Sequence, residues 1–224
     1  MKQYLKANDI KRCLANTPQI TFEVTDACNL RCEYCGYGKF YSDYDERKNQ
    51  MLPTEKATIF LDYLIDLWTS SFNTSTERNV YISFYGGEPL MNFQFIKDIV
   101  SHLETSDCKT RQFTFSMTTN AILLDKYMDY LVEKRFNLLI SLDGDEYNTS
   151  YRVDSNGNNS FDRIVKNVDL LREKYPTYFE NHVNFNAVLH NRNSVESISA
   201  FVNEIIDLIC YLVVRGSFWV ISVE

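Results

Sequence analysis

Residues 19–38 read QITFEVTDACNLRCEYCGYG and join a short strand-like run to a loop that carries three cysteines. Gln19–Val24 alternates β-branched and aromatic residues with polar ones, a pattern that predicts a β-strand. Cys28, Cys32 and Cys35 follow at once with the spacing C-x3-C-x2-C. A disulfide framework would spread its cysteines along the chain. Three cysteines this close together, in a chain without a secretory signal, indicate metal binding or redox chemistry.

Three thiolates on one loop suit a small iron–sulfur cluster. A [4Fe–4S] cluster ordinarily takes four cysteines, so three would leave one iron open to a small molecule. An open coordination position is typical of a reactive metal site and not of a structural one. The alternatives are a zinc site or buried free thiols, although structural zinc takes four ligands and the three histidines all lie far along the chain. The spacing therefore favours a cluster and leaves both alternatives open.

Strand-like and helix-like segments alternate on either side of this loop. The predicted strands are Gln19–Val24, Val80–Phe84, Phe113–Met117, Leu138–Leu142 and Val183–Leu189, with Phe218–Val223 as a candidate sixth. Apolar residues at helical spacing predict helices over Pro53–Trp68 and Leu124–Val132, and helical stripes that begin at Phe93, Phe161 and Val195.

Repeated strand–helix units imply a parallel sheet, in either a barrel or an open doubly wound arrangement. Neither a dinucleotide-binding fingerprint nor a phosphate loop follows the first strand, which favours the barrel. We therefore predict an α/β fold, namely a partial (βα)5–6 TIM-like barrel of parallel strands. Residues 19–224 are expected to form this core, incomplete at its C-terminal end, and residues 1–18 an N-terminal leader segment.

Further polar motifs stand at or just after the carboxyl ends of predicted strands, on the rim where barrel enzymes build their sites. They comprise Gly86, Gly87 and Glu88 after the second strand, Ser116, Thr118 and Asn120 at the end of the third, and Ser141 and Arg152 at and after the fourth. Alternation places Ser116, Thr118 and Asn120 on one face. The simpler interpretations are a turn that starts a helix at Pro89, a hydrogen-bonded strand end, and a surface charge at Arg152.

The cysteine spacing, with an aromatic residue before the last cysteine, resembles the signature of the radical S-adenosylmethionine (SAM) superfamily. The segment FYGGEP at 84–89 is similar to that family's glycine-rich GGEP segment, and SLDG at 141–144 to a motif of its peptide-maturing, SPASM-type branch. The resemblance implies that Cys28, Cys32 and Cys35 ligate a [4Fe–4S] cluster whose open iron is chelated by SAM. It also implies that Tyr34 lies against the adenine edge.

The same resemblance assigns the rim motifs to SAM. Gly86 and Gly87 would bring backbone carbonyls close to the SAM ammonium group, and Glu88 would add a carboxylate acceptor. The polar end of the third strand would hold the ribose and the methionine carboxylate. Ser141 and Arg152 would hold the carboxylate side of the cofactor, since a guanidinium suits a carboxylate as a two-pronged donor.

The activity implied by the resemblance is reductive cleavage of SAM to a deoxyadenosyl radical, followed by hydrogen abstraction from a peptide or protein side chain. The implied partners are a peptide or protein substrate and an electron donor such as a flavodoxin or ferredoxin. The alternatives are a non-catalytic, cluster-containing relative that binds peptides, a truncated fragment, and a zinc-stabilised binding module. After Cys35 only Cys108 and Cys210 remain in the sequence, so we expect no counterpart of the branch's C-terminal cysteine-rich domain, and no covering helix is predicted within Ile209–Glu224.

Composition restricts the classes of partner. A net charge of −7 without a basic stripe argues against nucleic-acid binding. The N-terminus lacks the apolar run of a secretory signal. The most apolar stretch, Ile205–Val223, is interrupted by Asp207 and Arg215, which would be costly at a membrane centre. We predict a cytoplasmic protein that binds neither nucleic acid nor membrane.

Overall fold

The computed structural model describes residues 4–38, 40, 47–201, 210–214 and 217–221. Seven strands form one sheet whose order follows the chain. They are β1 Gln19–Thr25, β2 Asn79–Gly86, β3 Gln112–Thr119, β4 Asn137–Ser141, β5 Val183–Val188, β6 Cys210–Val214 and β7 Ser217–Ile221. The strands from β1 to β6 pair in parallel, and β7 pairs antiparallel with β6.

Helices separate most of the strands. They are α1 Ala7–Ala15, α2 Thr54–Thr69, α3 Phe93–Glu104, α4 Leu124–Glu133, α5 Phe161–Lys174, α6 Pro176–His182 and α7 Val195–Phe201, with a 3-10 turn over Pro89–Asn92 before α3. None of the helices in the described part of the chain is long and apolar enough to cross a membrane.

The strand order identifies the sheet type. A doubly wound sheet reverses its order at a switch point, whereas a barrel keeps the order of the chain. Here the order runs from β1 to β7 without reversal, and among the described residues no pairing joins β1 to β7. The prediction of an α/β fold with a partial TIM-like barrel is confirmed.

Burial alternates along the strands because successive side chains point to opposite faces of the sheet. On β2, Val80, Ile82 and Phe84 are at most 1% exposed, whereas Tyr81 and Tyr85 are 44% and 55% exposed. The buried set packs with apolar residues of α2, α3, α4 and α5 in one core cluster. Each fully buried side chain of this size contributes roughly 1.5–3 kcal/mol. Helices therefore cover one face of the sheet and leave the other face accessible.

Several elements differ from the sequence-based expectation. The segment predicted as a leader contains α1, which packs on α2, and the backbone carbonyl of its buried Ala15 accepts a hydrogen bond from Arg111 Nη2. The strand β6 and the helix α6 were not predicted as elements. The candidate sixth strand coincides with β7 up to Ile221, but it returns antiparallel instead of adding a parallel unit, and its residues 222–223 lie outside the described residues. The same holds for residues 202–206 of the last predicted helix.

Candidate functional site

The first residues of the cysteine loop (residues 25–38) are hydrogen-bonded to the rim of β2, which is the carboxyl end of that strand. Gly87 N donates to the Thr25 carbonyl (2.6 Å), and Glu88 N donates to the Ala27 carbonyl (2.8 Å). Gly86 has φ +135°, and a Cβ on Gly87 would overlap the Ala27 carbonyl oxygen. The sequence suggested that these glycines let the backbone approach a ligand. In the structure the chain segment that they approach is the cysteine loop itself.

Substitution at Gly87 is therefore expected to disturb the cluster as well as SAM. Gly87→Ala forces the cysteine loop away from β2, because the new Cβ meets backbone and not a movable side chain. We expect the variant to lose most of its iron and its affinity for SAM after anaerobic reconstitution, measured by iron analysis and calorimetry. Gly36→Ala is the matched control, since a Cβ there meets nothing within 4 Å although the residue adjoins Cys35. Full iron content in Gly87→Ala would contradict this explanation.

Nitrogen donors contact two of the three cysteine sulfurs. Cys28 Sγ accepts from Leu30 N (3.4 Å) and Asn120 Nδ2 (3.6 Å), and Cys35 Sγ accepts from Arg47 Nη2 (3.3 Å). Such donors stabilise thiolates and tune the metal groups that thiolates hold. Three free thiols on one loop, with hydrogen-bond donors on two of their sulfurs, fit a cluster that keeps one iron open.

Cys28 and Cys32 lie in an environment that favours the protonated thiol until a metal binds. Burial raises the pKa of Cys28 and raises the pKa of Cys32 to about 11, while Arg47 and Arg152 oppose these shifts at Cys28 and Cys32 respectively. Thiols must lose their protons to bind metal, so loading releases protons and is favoured by rising pH. In the part of the chain that the structure describes, no group of three His, Cys, Asp or Glu side chains is arranged to hold a single metal ion.

Glu88 joins the rims of β2 and β3. Its side chain is fully buried; Oε1 accepts from Leu90 N (3.1 Å) and Thr119 Oγ1 (2.8 Å), and Oε2 accepts from Asn120 N (2.8 Å). Burial raises the pKa of Glu88 to about 7, although these hydrogen bonds favour the ionised form. All three hydrogen bonds of the carboxylate are thus made to the protein.

The three polar residues predicted on one face of the third strand lie at different distances from the rim along β3. Asn120 reaches the cysteine loop, where Nδ2 donates to Asn29 Oδ1 (2.7 Å). Ser116 lies four residues earlier, about 13 Å lower along the strand, and its Oγ bonds Ser83 Oγ (2.6 Å). Thr118 lies between them and is half-buried. The structure therefore brings only Asn120 to the loop.

The rims of β4 and β5 are joined through Ser141. Ser141 Oγ donates to Asn186 Oδ1 (2.9 Å), and the backbone continues the contact through Leu142 N and the Asn186 carbonyl (2.9 Å). Both side chains are about nine-tenths buried at the edge of the accessible face.

Arg152 is not a surface charge. It is 6% exposed and forms a two-pronged pair with the fully buried Asp143, with Nε to Oδ2 and Nη2 to Oδ1 both at 3.0 Å. Burial by itself would disfavour both charges. The pair offsets this cost, so the pKa of Asp143 is lowered and the pKa of Arg152 is raised. The segment from Ser141 to Arg152 therefore contains an internal ion pair that the spacing of its residues did not predict.

Tyr34 connects the cysteine loop to this ion pair. Its hydroxyl donates to Asp143 Oδ2 (2.5 Å), its ring stacks on His190 (centroids 5.6 Å apart), and Arg152 Cζ lies 5.5 Å from its ring centroid. Burial is the main cause that raises the pKa of Tyr34 well above its usual value. Tyr34 therefore has protein partners on its hydroxyl and on its ring, and it holds the loop against the rim of β4 and β5.

Six side chains of this arrangement were not predicted as site residues, namely Asn29, Arg47, Thr119, Asp143, Asn186 and His190. Asp143 stood within the SLDG segment, and its charge next to a glycine after a strand was an available signal. Arg47 lies 12 residues beyond Cys35 with no motif around it, and only the folded chain reveals its contact.

A family model for the radical SAM superfamily matches residues 22–205. The chain belongs to this superfamily. Its cofactors are accordingly a [4Fe–4S] cluster and SAM, as the resemblance implied, and the prediction of the family is confirmed.

Relatives with different substrates share this core. The chain is 28% identical over 195 residues to the radical SAM cyclopropyl synthase TigE of Paramaledivibacter caminithermalis, a match that covers 84% of this chain and 38% of the relative. It is 30% identical over 147 residues to a cysteine-type anaerobic sulfatase-maturating enzyme of Clostridium novyi (64% and 37%) and 27% identical over 154 residues to a GTP 3',8-cyclase of Rippkaea orientalis (66% and 38%). The matched region is thus less than half of each relative.

A solved structure shares the fold. Native anSMEcpe with bound AdoMet matches with a TM-score of 0.72 at 18% identity, over 88% of this chain and 51% of that chain. The similarity supports the partial-barrel architecture.

Proposed function

We propose that this chain is the core of a radical SAM enzyme that modifies a peptide or protein side chain. The observation that carries the proposal is a single loop with three free thiols, two of whose sulfurs accept hydrogen bonds from nitrogen donors. Hydrogen bonds hold this loop against the rims of β2, β3 and β4. When bound, the cluster and SAM supply a one-electron reduction that yields methionine and a deoxyadenosyl radical for hydrogen abstraction. Cys28, Cys32 and Cys35 would hold the cluster.

The remaining rim residues would bind and orient SAM. The Glu88 carboxylate is fully buried and bonded to the protein, so it would act on the ammonium group through its charge alone. Asn120, whose Nδ2 contacts Cys28 Sγ and Asn29 Oδ1, would support the loop beside the cofactor. Arg152 uses two of its five N–H donors on Asp143, which leaves others for a ligand carboxylate. Tyr34 would then support the adenine side only through its position on the loop.

The accessible face of the sheet supports a substrate rich in hydrogen-bonding groups. Gln19 Nε2 donates to Ser83 Oγ (2.8 Å), which in turn bonds Ser116 Oγ, and the exposed rings of Tyr81 and Tyr85 flank this polar row. A peptide offers backbone groups to such a row and side chains to the rings. A related structure is described as anSMEcpe with bound AdoMet and a peptide, which is consistent with a peptide substrate on this fold.

The test is SAM cleavage by the reconstituted chain with dithionite as reductant. We expect deoxyadenosine and methionine in equal amounts by mass spectrometry. Deuterium should pass into deoxyadenosine from carbon-deuterated cysteine- or serine-containing peptides, and not from deuterated GTP. A chain that holds a full cluster and binds SAM without cleaving it would be a non-catalytic relative, and transfer from GTP alone would overturn the peptide assignment.

A further inference from the structure

The Arg47 side chain makes three contacts with the cysteine loop. Its Nη2 donates to Cys35 Sγ (3.3 Å), its Nη1 donates to the Leu30 carbonyl (3.0 Å), and its Cζ lies 5.1 Å from the ring centroid of Tyr37. The guanidinium is therefore held in place at a sulfur that the proposed function assigns to the cluster.

The charge on Arg47 is not cancelled in the way that the charge on Arg152 is. Arg152 has the buried carboxylate of Asp143 on two of its nitrogens. Within the described ranges, which omit residues 41–46, Arg47 forms no ion pair with a carboxylate, and its buried Nε has no hydrogen-bond partner. Among the described residues, no carboxylate thus offsets the positive charge that Arg47 places at Cys35 Sγ.

A positive charge at a ligand sulfur acts on electron transfer. Reduction adds one negative charge to the cluster and its thiolates, so a cation bonded to a thiolate stabilises the reduced state more than the oxidised one. Hydrogen bonds to cluster sulfurs act in the same direction. The effect depends on the guanidinium remaining in place, and the bond to the Leu30 carbonyl fixes it.

We propose that Arg47 is a positioning residue that acts through Cys35 and raises the reduction potential of the cluster. The inference rests on the proposed function, because it requires the cluster on Cys28, Cys32 and Cys35. It assigns to this chain a tuning residue outside the cysteine motif, and it predicts that the ease of accepting the first electron depends on a side chain that touches neither SAM nor substrate.

The experiment is a potentiometric titration of the reconstituted full chain, followed by electron paramagnetic resonance of the reduced cluster. In Arg47→Gln the ratio of reduced to oxidised cluster at the parent's midpoint should fall about tenfold, which is 59 mV for a one-electron couple. Arg47→Lys keeps the charge but loses the two-pronged geometry, so its midpoint should lie between the two. Arg31→Gln is the matched control, since Arg31 is exposed in the same loop and should leave the midpoint unchanged.

Iron and sulfide content, measured first, separates the two proposals. A parent chain that assembles no cluster overturns the proposed function. Variants that assemble the cluster but titrate at the parent's midpoint overturn the role of Arg47 and leave the proposed function intact. If Arg47→Gln does not retain iron, Arg47→Lys decides the matter, because a lysine variant with the parent's midpoint contradicts a role for the arginine bond.

Discussion

Replacing Cys28, Cys32 or Cys35 by alanine is expected to abolish stable cluster assembly, with iron and labile sulfide falling to background after anaerobic reconstitution. Three cysteines already leave one iron without a protein ligand. Removing one of them leaves a second iron without a ligand, and the two remaining thiolates of the loop no longer chelate the cluster stably. The loss should be complete in each variant, because the three thiols lie in one loop and each change leaves only two of them.

Two other cysteines provide the controls. Cys13 is exposed on α1, and Cys108 is buried with its sulfur 3.6 Å from Thr110 Oγ1. Cys13→Ala and Cys108→Ala should both retain the brown colour and the parent's iron content. Full iron retention in any variant of the triplet would show that the cluster ligands have been assigned wrongly.

Breaking the Asp143–Arg152 pair is expected to have the largest effect on stability. Arg152→Met leaves a fully buried carboxylate without its partner, and loss of one member of a buried pair costs about 3–5 kcal/mol. The free energy of unfolding in urea, measured on the cluster-free chain, should fall by that amount. Because Tyr34 also bonds Asp143, Asp143→Asn should in addition loosen the cysteine loop.

A double-mutant cycle isolates the pair from its surroundings. Asp143→Asn combined with Arg152→Met should cost less than the sum of the single changes, since neither charge is then left buried alone. Arg163→Met, which breaks a partly exposed pair with Asp125 (2.7 Å), should change stability little. Additive effects of the two single changes would mean that Asp143 and Arg152 do not stabilise each other.

The parts of the fold that the sequence predicted are those that local periodicity determines. Val80–Phe84 was predicted as a strand and lies within β2, because alternating burial is visible in five consecutive residues. The helix α6 has seven residues, too few for a helical stripe to recur. The antiparallel direction of β7 depends on its pairing with β6, and a strand's own sequence does not encode its partner's direction.

The candidate site likewise has one part that the sequence predicted and another that it did not. Spacing alone placed Cys28, Cys32 and Cys35 together, since three ligands within one loop require no knowledge of the fold. The partners of the buried polar groups are distant in sequence: Glu88 bonds Thr119, 31 residues away, and Tyr34 bonds Asp143, 109 residues away. Which buried polar groups pair with one another is decided by the tertiary packing, and single-sequence patterns do not contain it.

The open iron is the central claim, and electron–nuclear double resonance on the reduced protein tests it most directly. SAM labelled with ¹⁵N at its amino group is added to the reconstituted chain, with unlabelled SAM as the reference. We expect a hyperfine coupling between the labelled nitrogen and the cluster, present in Cys13→Ala and lost in Cys35→Ala. A chain that carries the full iron content and binds SAM, yet shows no coupling to the label, would contradict the proposal that three cysteines leave one iron for the cofactor.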